Sequence, residues 1–166
     1  AYAPGMCAQP AATSEVPTAM GRAMVGAAPA LRGTTLPDGR WELTGVTWYL
    51  NTASAAGVAI DLAETSLTSR GQLWTSSGRL TADFVTRLAL VLMGGARISR
   101  DIPVSASGTY TSATSPIALT TSCAAGPMMF TSLDYAVEGD TLTLGNAPTM
   151  ISGIMITPRY QFRRVM

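Results

Sequence analysis

The chain has no histidine and no lysine: all 11 basic side chains are arginine, set against 10 acidic ones, and only 13% of its 166 residues are charged. Without histidine there is no ordinary general base at neutral pH, no middle member for a Ser/His/Asp or Cys/His arrangement, and no imidazole ligand for zinc or haem. Without lysine there is no Schiff-base or pyridoxal chemistry. The arginines are scattered from Arg22 to Arg164 with no basic run and a formal charge of +1, so no nucleic acid or anionic membrane partner is expected. The longest apolar run, residues 88–93 followed by Gly94, Gly95 and Ala96, falls far short of the ~20 residues of a spanning helix; no membrane span is expected. The two cysteines, Cys7 and Cys123, match no metal or redox spacing, and there is no phosphate loop, nucleophile elbow or EF-hand. No cofactor and no metal are expected.

What is present is a largely apolar chain (47%) with few aromatics (7%) and abundant hydroxyls, 14 serines and 22 threonines. The length suits one globular domain. Scarce charge with many hydroxyls suits secreted all-β proteins, and a chain that begins at Ala1 is expected if a signal peptide has been removed. Cys7 and Cys123 lie 116 residues apart. In an oxidising compartment they would form one disulfide, which could stabilise the fold by up to ~4.7 kcal/mol; in a cytosolic protein they would be two separate buried thiols. The expected location is extracytoplasmic.

The pattern changes near residue 36. Residues 1–36 carry Pro4, Pro10, Pro17 and Pro29 amid Ala, Gly, Met and Thr, with no sustained alternation and one marginal helical stretch at 20–25. Too few large apolar side chains are available there to offset the entropy of ordering, so the composition predicts an extended N-terminal arm, with the folded domain at 37–166. From the Pro37-Asp38-Gly39 turn onward the signals are strands. Residues 40–50 form the first, with Trp41, Leu43 and Gly45 on one face; residues 51–65 are a crossing loop or one short helix. Residues 72–76 and 79–93 make a hairpin about Ser77-Gly78, although 88–93 also fit a buried helical turn. Strands are further expected at 96–104, 108–112, 116–122, 130–137, 140–144 and 159–165. Such a meander of eight or nine antiparallel strands predicts an all-β, up-and-down barrel or sandwich, and a barrel closes its own edges.

Several short motifs carry a resemblance. Gly39-Arg40-Trp41 opens the first strand, Ser107-Gly108-Thr109-Tyr110 and Leu133-Asp134-Tyr135 follow, residues 135–144 read YAVEGDTLTL, and the last strand bears arginine. Over residues 36–166 the chain resembles the bacterial lipocalin-like branch of the calycin superfamily. The resemblance implies an antiparallel up-and-down barrel of about eight strands. It also implies that Trp41 packs inside the closed end beneath an arginine near the last strand, Arg163 or Arg164, as a structural cation–π pair.

The remaining chemistry must use carboxylates, hydroxyls or main-chain groups. The close acidic pairs Asp38/Glu42, Asp61/Glu64 and Glu138/Asp140 all sit in or beside turns, where caps and solvated charges are the ordinary use; Asp134 beside Tyr135 reads as a residue that orders a loop. No catalytic residue is expected. Met128, Met129, Met150 and Met155, with Trp48 and Trp74, are the candidates to line an apolar cup, although core packing accounts for the same residues. Met6, Met20 and Met24 lie in the arm and read as a patch covered by a partner. The sequence therefore predicts a non-catalytic structural or interaction subunit, its arm packing on another subunit or a neighbouring copy, with carriage of a small apolar ligand as the alternative.

Overall fold

The computed structural model describes residues 17–55, 57–111, 114–125, 132–151 and 153–165, of which 122–125 by backbone alone. Among these residues there is no helix. The strands in chain order are β1 (Ala19–Val25), β2 (Gly39–Leu50), β3 (Ser54–Ala55), β4 (Val58–Ala59), β5 (Ser66–Ser76), β6 (Arg79–Val91), β7 (Arg97–Thr109), β8 (Ile117–Ala118), β9 (Thr120–Ala125), β10 (Ser132–Glu138), β11 (Thr141–Asn146), β12 (Thr149–Ile151) and β13 (Ile154–Val165). All but β3 and β4 join one sheet of 11 strands, ordered β8-β10-β11-β13-β2-β1-β5-β6-β7-β9, with β12 paired to β13. The outermost strands, β8 and β9, are consecutive in the chain, separated only by Leu119. The sheet is therefore nearly closed and barrel-like.

The strand count exceeds the expected eight for three local reasons. The marginal helical stretch expected at 20–25 is instead β1, which lies parallel to β2 and antiparallel to β5. The strand expected at 116–122 divides at Leu119 into β8, on β10, and β9, on β7. The connection at 145–157 folds back as β12 on β13. In the other direction, the strands expected at 96–104 and 108–112 are one, β7, and residues 88–91 continue β6 as strand rather than turning into helix. The loop at 51–65 holds the small β3–β4 hairpin.

β1 acts as a wedge. β2 and β5 pair directly only from Gly39 to Glu42; farther along they separate, and Gly21 to Val25 fill the gap against Val46 to Leu50. The inward side of β1 is small, Ala19, Gly21 and Ala23, and it has to be. A Cβ at Gly21 would stand 2.3 Å from Val46 Cγ1 and 2.7 Å from the Val46 carbonyl, far inside contact distance, so only glycine lets the three backbones approach. The low bulk that made this segment look like a linker is what lets it enter the wall.

A bulge sets which side chains face inward on β2. Phe162 pairs with Leu43 and Gln161 with Gly45, so Thr44 has no cross-strand partner, and its hydroxyl donates to the Gln161 carbonyl instead (3.2 Å). One extra residue reverses the alternation. Trp41 and Leu43 point inward before it, and Val46, Trp48 and Leu50 after it. The core between the walls includes Trp41, Trp48, Tyr135, Tyr160, Phe84 and Phe162, all essentially without solvent contact. Phe84 sits with its ring centroid 4.6 Å from Tyr160 and 5.9 Å from Phe162, within the range of favourable tilted and edge contacts.

Candidate functional site

At the end of the barrel where β2 begins, the polar groups form a linked cluster. The Trp41 indole donates to Thr75 Oγ1 (3.2 Å), and the Thr75 hydroxyl donates to the Pro37 carbonyl (2.7 Å). The Asp38 carboxylate accepts from the Ser77 amide (3.1 and 3.2 Å), tying the β5–β6 turn to the start of β2. Of the two arginines considered for Trp41, Arg164 lies over the ring, its guanidinium carbon 5.9 Å from the centroid, and its Nη2 donates to the Asp38 carbonyl. Arg163 stands opposite Glu42 and Thr141.

A second cluster fastens the chain that leads from β1 to β2. The Arg159 Nε and Nη2 both donate to the Pro29 carbonyl (3.3 and 3.0 Å), while Nη1 donates to the Pro158 carbonyl (3.1 Å). The guanidinium lies where a side chain on Gly145 would be, a Cβ there falling 2.4 Å from Nη1. Burial lowers the Arg159 pKa, and the charges of Asp134 and Tyr49 oppose that. The Ser115 hydroxyl donates to the Leu31 carbonyl (3.1 Å), stands 3.3 Å from Asp134 Oδ1, and accepts from the Tyr135 amide (3.3 Å). Gly33 donates to the Tyr135 carbonyl (2.6 Å) and accepts from the Ser115 amide (2.8 Å). Residues 29–33 are thus a strap on β10 and β13, and Leu36 beyond them is buried in the core. Asp134 serves this fastening.

The other acidic groups do local work. Asp61 Oδ1 accepts from the Glu64 amide (3.3 Å); Glu42 pairs with Arg40 (3.3 Å) on the surface; Glu138 and Asp140 flank the β10–β11 turn. The carboxylate that stands apart is Asp83, which sequence reasoning missed. It lies on the outward side of β6 in register with Gln72 and Ser105, yet it is only 3% exposed, and its Oδ2 has no hydrogen-bond partner. Burial raises its pKa to about 6, so it exchanges a proton near that pH. An acidic residue on the outward register of a strand that also carries Arg79 and Arg87 gave no signal, because the sequence could not supply that this part of the outer wall is covered.

The described candidate ligand residues lie apart. Trp48 lies inside the barrel and Trp74 on the outward side of β5. Met150 and Met155 face each other across β12–β13, Met150 exposed and Met155 half-buried. Met128 and Met129 lie outside the described residues, as do Cys7 and Met6; Cys123 is described only by its backbone, paired with Ser107. In the arm, Met20 is 72% exposed and Met24 half-buried. The apolar space beside Trp48, between Leu50, Leu88, Ile151 and Ile156, amounts to about 10 Å³, at most one water. Among the described residues no three potential metal ligands come together, and no helix is long and apolar enough to cross a membrane. Comparison with protein-family models, with curated proteins and with solved structures finds no match to the chain.

Proposed function

We propose that this protein is a non-catalytic structural or interaction subunit working outside the cytoplasm. The observation that carries this reading is the barrel interior. Among the described residues six aromatic side chains, Trp41, Trp48, Tyr135, Tyr160, Phe84 and Phe162, pack in it with many aliphatic ones, and the apolar space beside Trp48 amounts to about 10 Å³, whereas carriage of even a small ligand needs roughly 300 Å³. The ionisable groups support it too, because Asp38, Asp134, Arg159 and Arg164 are engaged in holding the chain to itself. The outward faces carry Arg40, Glu42, Arg87 and Asp101 at exposed or half-exposed positions, a pattern opposite to that of a barrel facing lipid.

The proposal includes a lipocalin-like, eight-membered up-and-down circuit. It would run β2, β5, β6, β7, the β8–β9 pair taken as one strand, β10, β11 and β13, with β1 and β12 as additions. Trp41 beneath Arg164 supports it. A Cys7–Cys123 disulfide and an extracytoplasmic location belong to the same reading and rest on composition and spacing. The partner contact is assigned to residues 1–16 and the exposed Met20, since residues 19–36 are part of this chain's own wall and strap.

Native mass spectrometry of the full chain, followed by a denatured, unreduced mass, tests all of this. A multimer or a complex with other proteins, lost on deleting residues 1–16, is expected; a monomer unchanged by that deletion overturns the subunit reading. A ~2 Da deficit relative to the reduced mass marks the disulfide. Carriage of a small apolar ligand, the second reading, is favoured by a buried donor in the barrel with no partner among the described residues, Asn146 Nδ2. It predicts a monomer with a few hundred extra daltons that vanish on denaturation.

A further inference from the structure

Two of the arginines that look scattered in the sequence stand together on the barrel. On the outward side of β5, β6 and β7, Thr68 faces Arg87, Arg87 faces Asp101, and Arg70 stands one pleat farther along. Arg70 and Arg87 are therefore diagonal cross-strand neighbours, with side chains within reach of a common point. Together with Thr18 they line a concavity of about 240 Å³ on the outer wall.

The two guanidinium groups differ in what they have left to give. Arg87 is held side-on by Asp101, Nε to Oδ1 at 2.9 Å and Nη2 to Oδ2 at 3.4 Å, which fixes its orientation and leaves Nη1 unused. Arg70, half-buried, has neither a hydrogen bond nor an ion pair among the described residues. Two like charges at diagonal positions beside a single carboxylate leave a positive excess that a bound anion would meet with both guanidinium groups at once. The donors also have a shape: a free fork on Arg70, one nitrogen on Arg87, and the hydroxyls of Thr68 and Thr18. A planar carboxylate would use little beyond the fork, whereas a tetrahedral oxyanion has three or four oxygens to spread over all of them.

We propose that the concavity between Arg70, Arg87, Thr68 and Thr18 is a binding site for a tetrahedral oxyanion, a phosphoryl or sulfuryl group, oriented by Asp101 through Arg87. The site does not depend on the scaffold reading, since it lies on the outer wall.

The test is a titration of the full chain with inorganic phosphate, and in parallel with methyl phosphate, followed through the Nε–Hε resonances of the arginines. Saturable shifts at Arg70 and Arg87, with Kd of about 1 mM or tighter, are expected. Arg70→Gln should weaken binding about tenfold or more, the loss of a charge-assisted fork. It should leave the circular dichroism unchanged, because Arg70 holds nothing in the fold. Arg97→Gln, an exposed arginine away from the concavity, should have no effect. Absence of saturation, or equal losses in the Arg70 and Arg97 variants, overturns the site in favour of unspecific charge attraction. Comparable binding of methyl phosphate identifies an esterified group as the ligand; binding of phosphate alone identifies the free ion.

Discussion

The two ends of the barrel are built on the same strand and from the same residue type, yet they are finished differently. Trp41 and Trp48 are both fully buried on β2. At the Trp41 end the indole N–H is bonded to Thr75, the ring lies under Arg164, and Leu36, Asp38 and the Ser77 turn close over it. At the Trp48 end the indole N–H meets the Tyr160 hydroxyl outside good hydrogen-bond geometry, and Asn146 Nδ2 has no partner among the described residues. The turns there are glycine-rich, with Gly57, Gly94, Gly95 and Gly153 at positive φ, and Val58, Met93 and Met150 protrude. The outer walls follow the same division. Toward the Trp41 end the outward residues Gln72, Thr81, Asp83, Ser105 and Ser107 are buried, whereas Arg87 and Asp101 toward the other end are exposed. The Trp41 end has its indole paired and much of its outer wall covered, with Asp83 Oδ2 as its unpaired atom; the other end has the unpaired Asn146 amide and the more exposed rim. Identical side chains thus acquire different energetic roles from what surrounds them.

The largest expected effect that would break this contrast concerns Asp83. Its folded-state pKa of about 6 lies above its ordinary 3.8, so the folded state holds the proton more tightly. The sign follows: the Asp83 contribution is fully present below about pH 4, is lost as pH rises from there through about 6, and stays lost beyond it, amounting to at most roughly 3 kcal/mol. Asp83→Asn should remove that slope and raise the urea midpoint at pH 8; a variant that keeps the wild-type pH profile would sink the assignment.

Next come the two tryptophans. Trp41→Phe gives up a well-formed hydrogen bond and an indole–guanidinium contact, whereas Trp48→Phe gives up area and only a poorly aligned contact of its N–H with the Tyr160 hydroxyl. Trp41→Phe should therefore cost about 1–2 kcal/mol more in chemical denaturation, and equal costs would erase the difference between the ends. The smallest effect is one of local opening. Hydrogen exchange should be slower for the amides of Tyr110 and Arg164, bonded to Gly78 and Asp140, than for Gly95, bonded to Leu92.

Much of the fold could be read from local pattern. Alternating or apolar runs bounded by turns marked β2, residues 72–76 of β5, β6, β10, β11 and residues 159–165 of β13, because a strand must put apolar residues on its buried face. The β5–β6 and β10–β11 hairpins announced themselves at Ser77-Gly78 and Glu138-Gly139, where the backbone needs residues that tolerate positive φ. β1 was not legible: its small residues carry no periodic signal of their own and make sense only in a gap that two other strands open. Nor could counting by twos from Trp41 place Trp48, since the bulge at Thr44 exists only through the register of β13. Nor could the sequence tell that Trp48 and Trp74 lie on opposite sides of the wall.

By itself, then, the sequence determined the class of structure and the chemistry withheld from it. Strand periodicity and turn residues are properties of a few neighbouring positions, and a chain without histidine or lysine lacks those functional groups in any fold. The tertiary structure alone decided that residues 19–36 are wall and strap, that Asp134 fastens the strap, that Asp83 is buried on an outer face, and that Arg70 and Arg87 stand together. Each of these depends on contacts between residues distant in the chain, and burial, pairing and charge proximity arise only when those residues are brought within a few ångströms of one another.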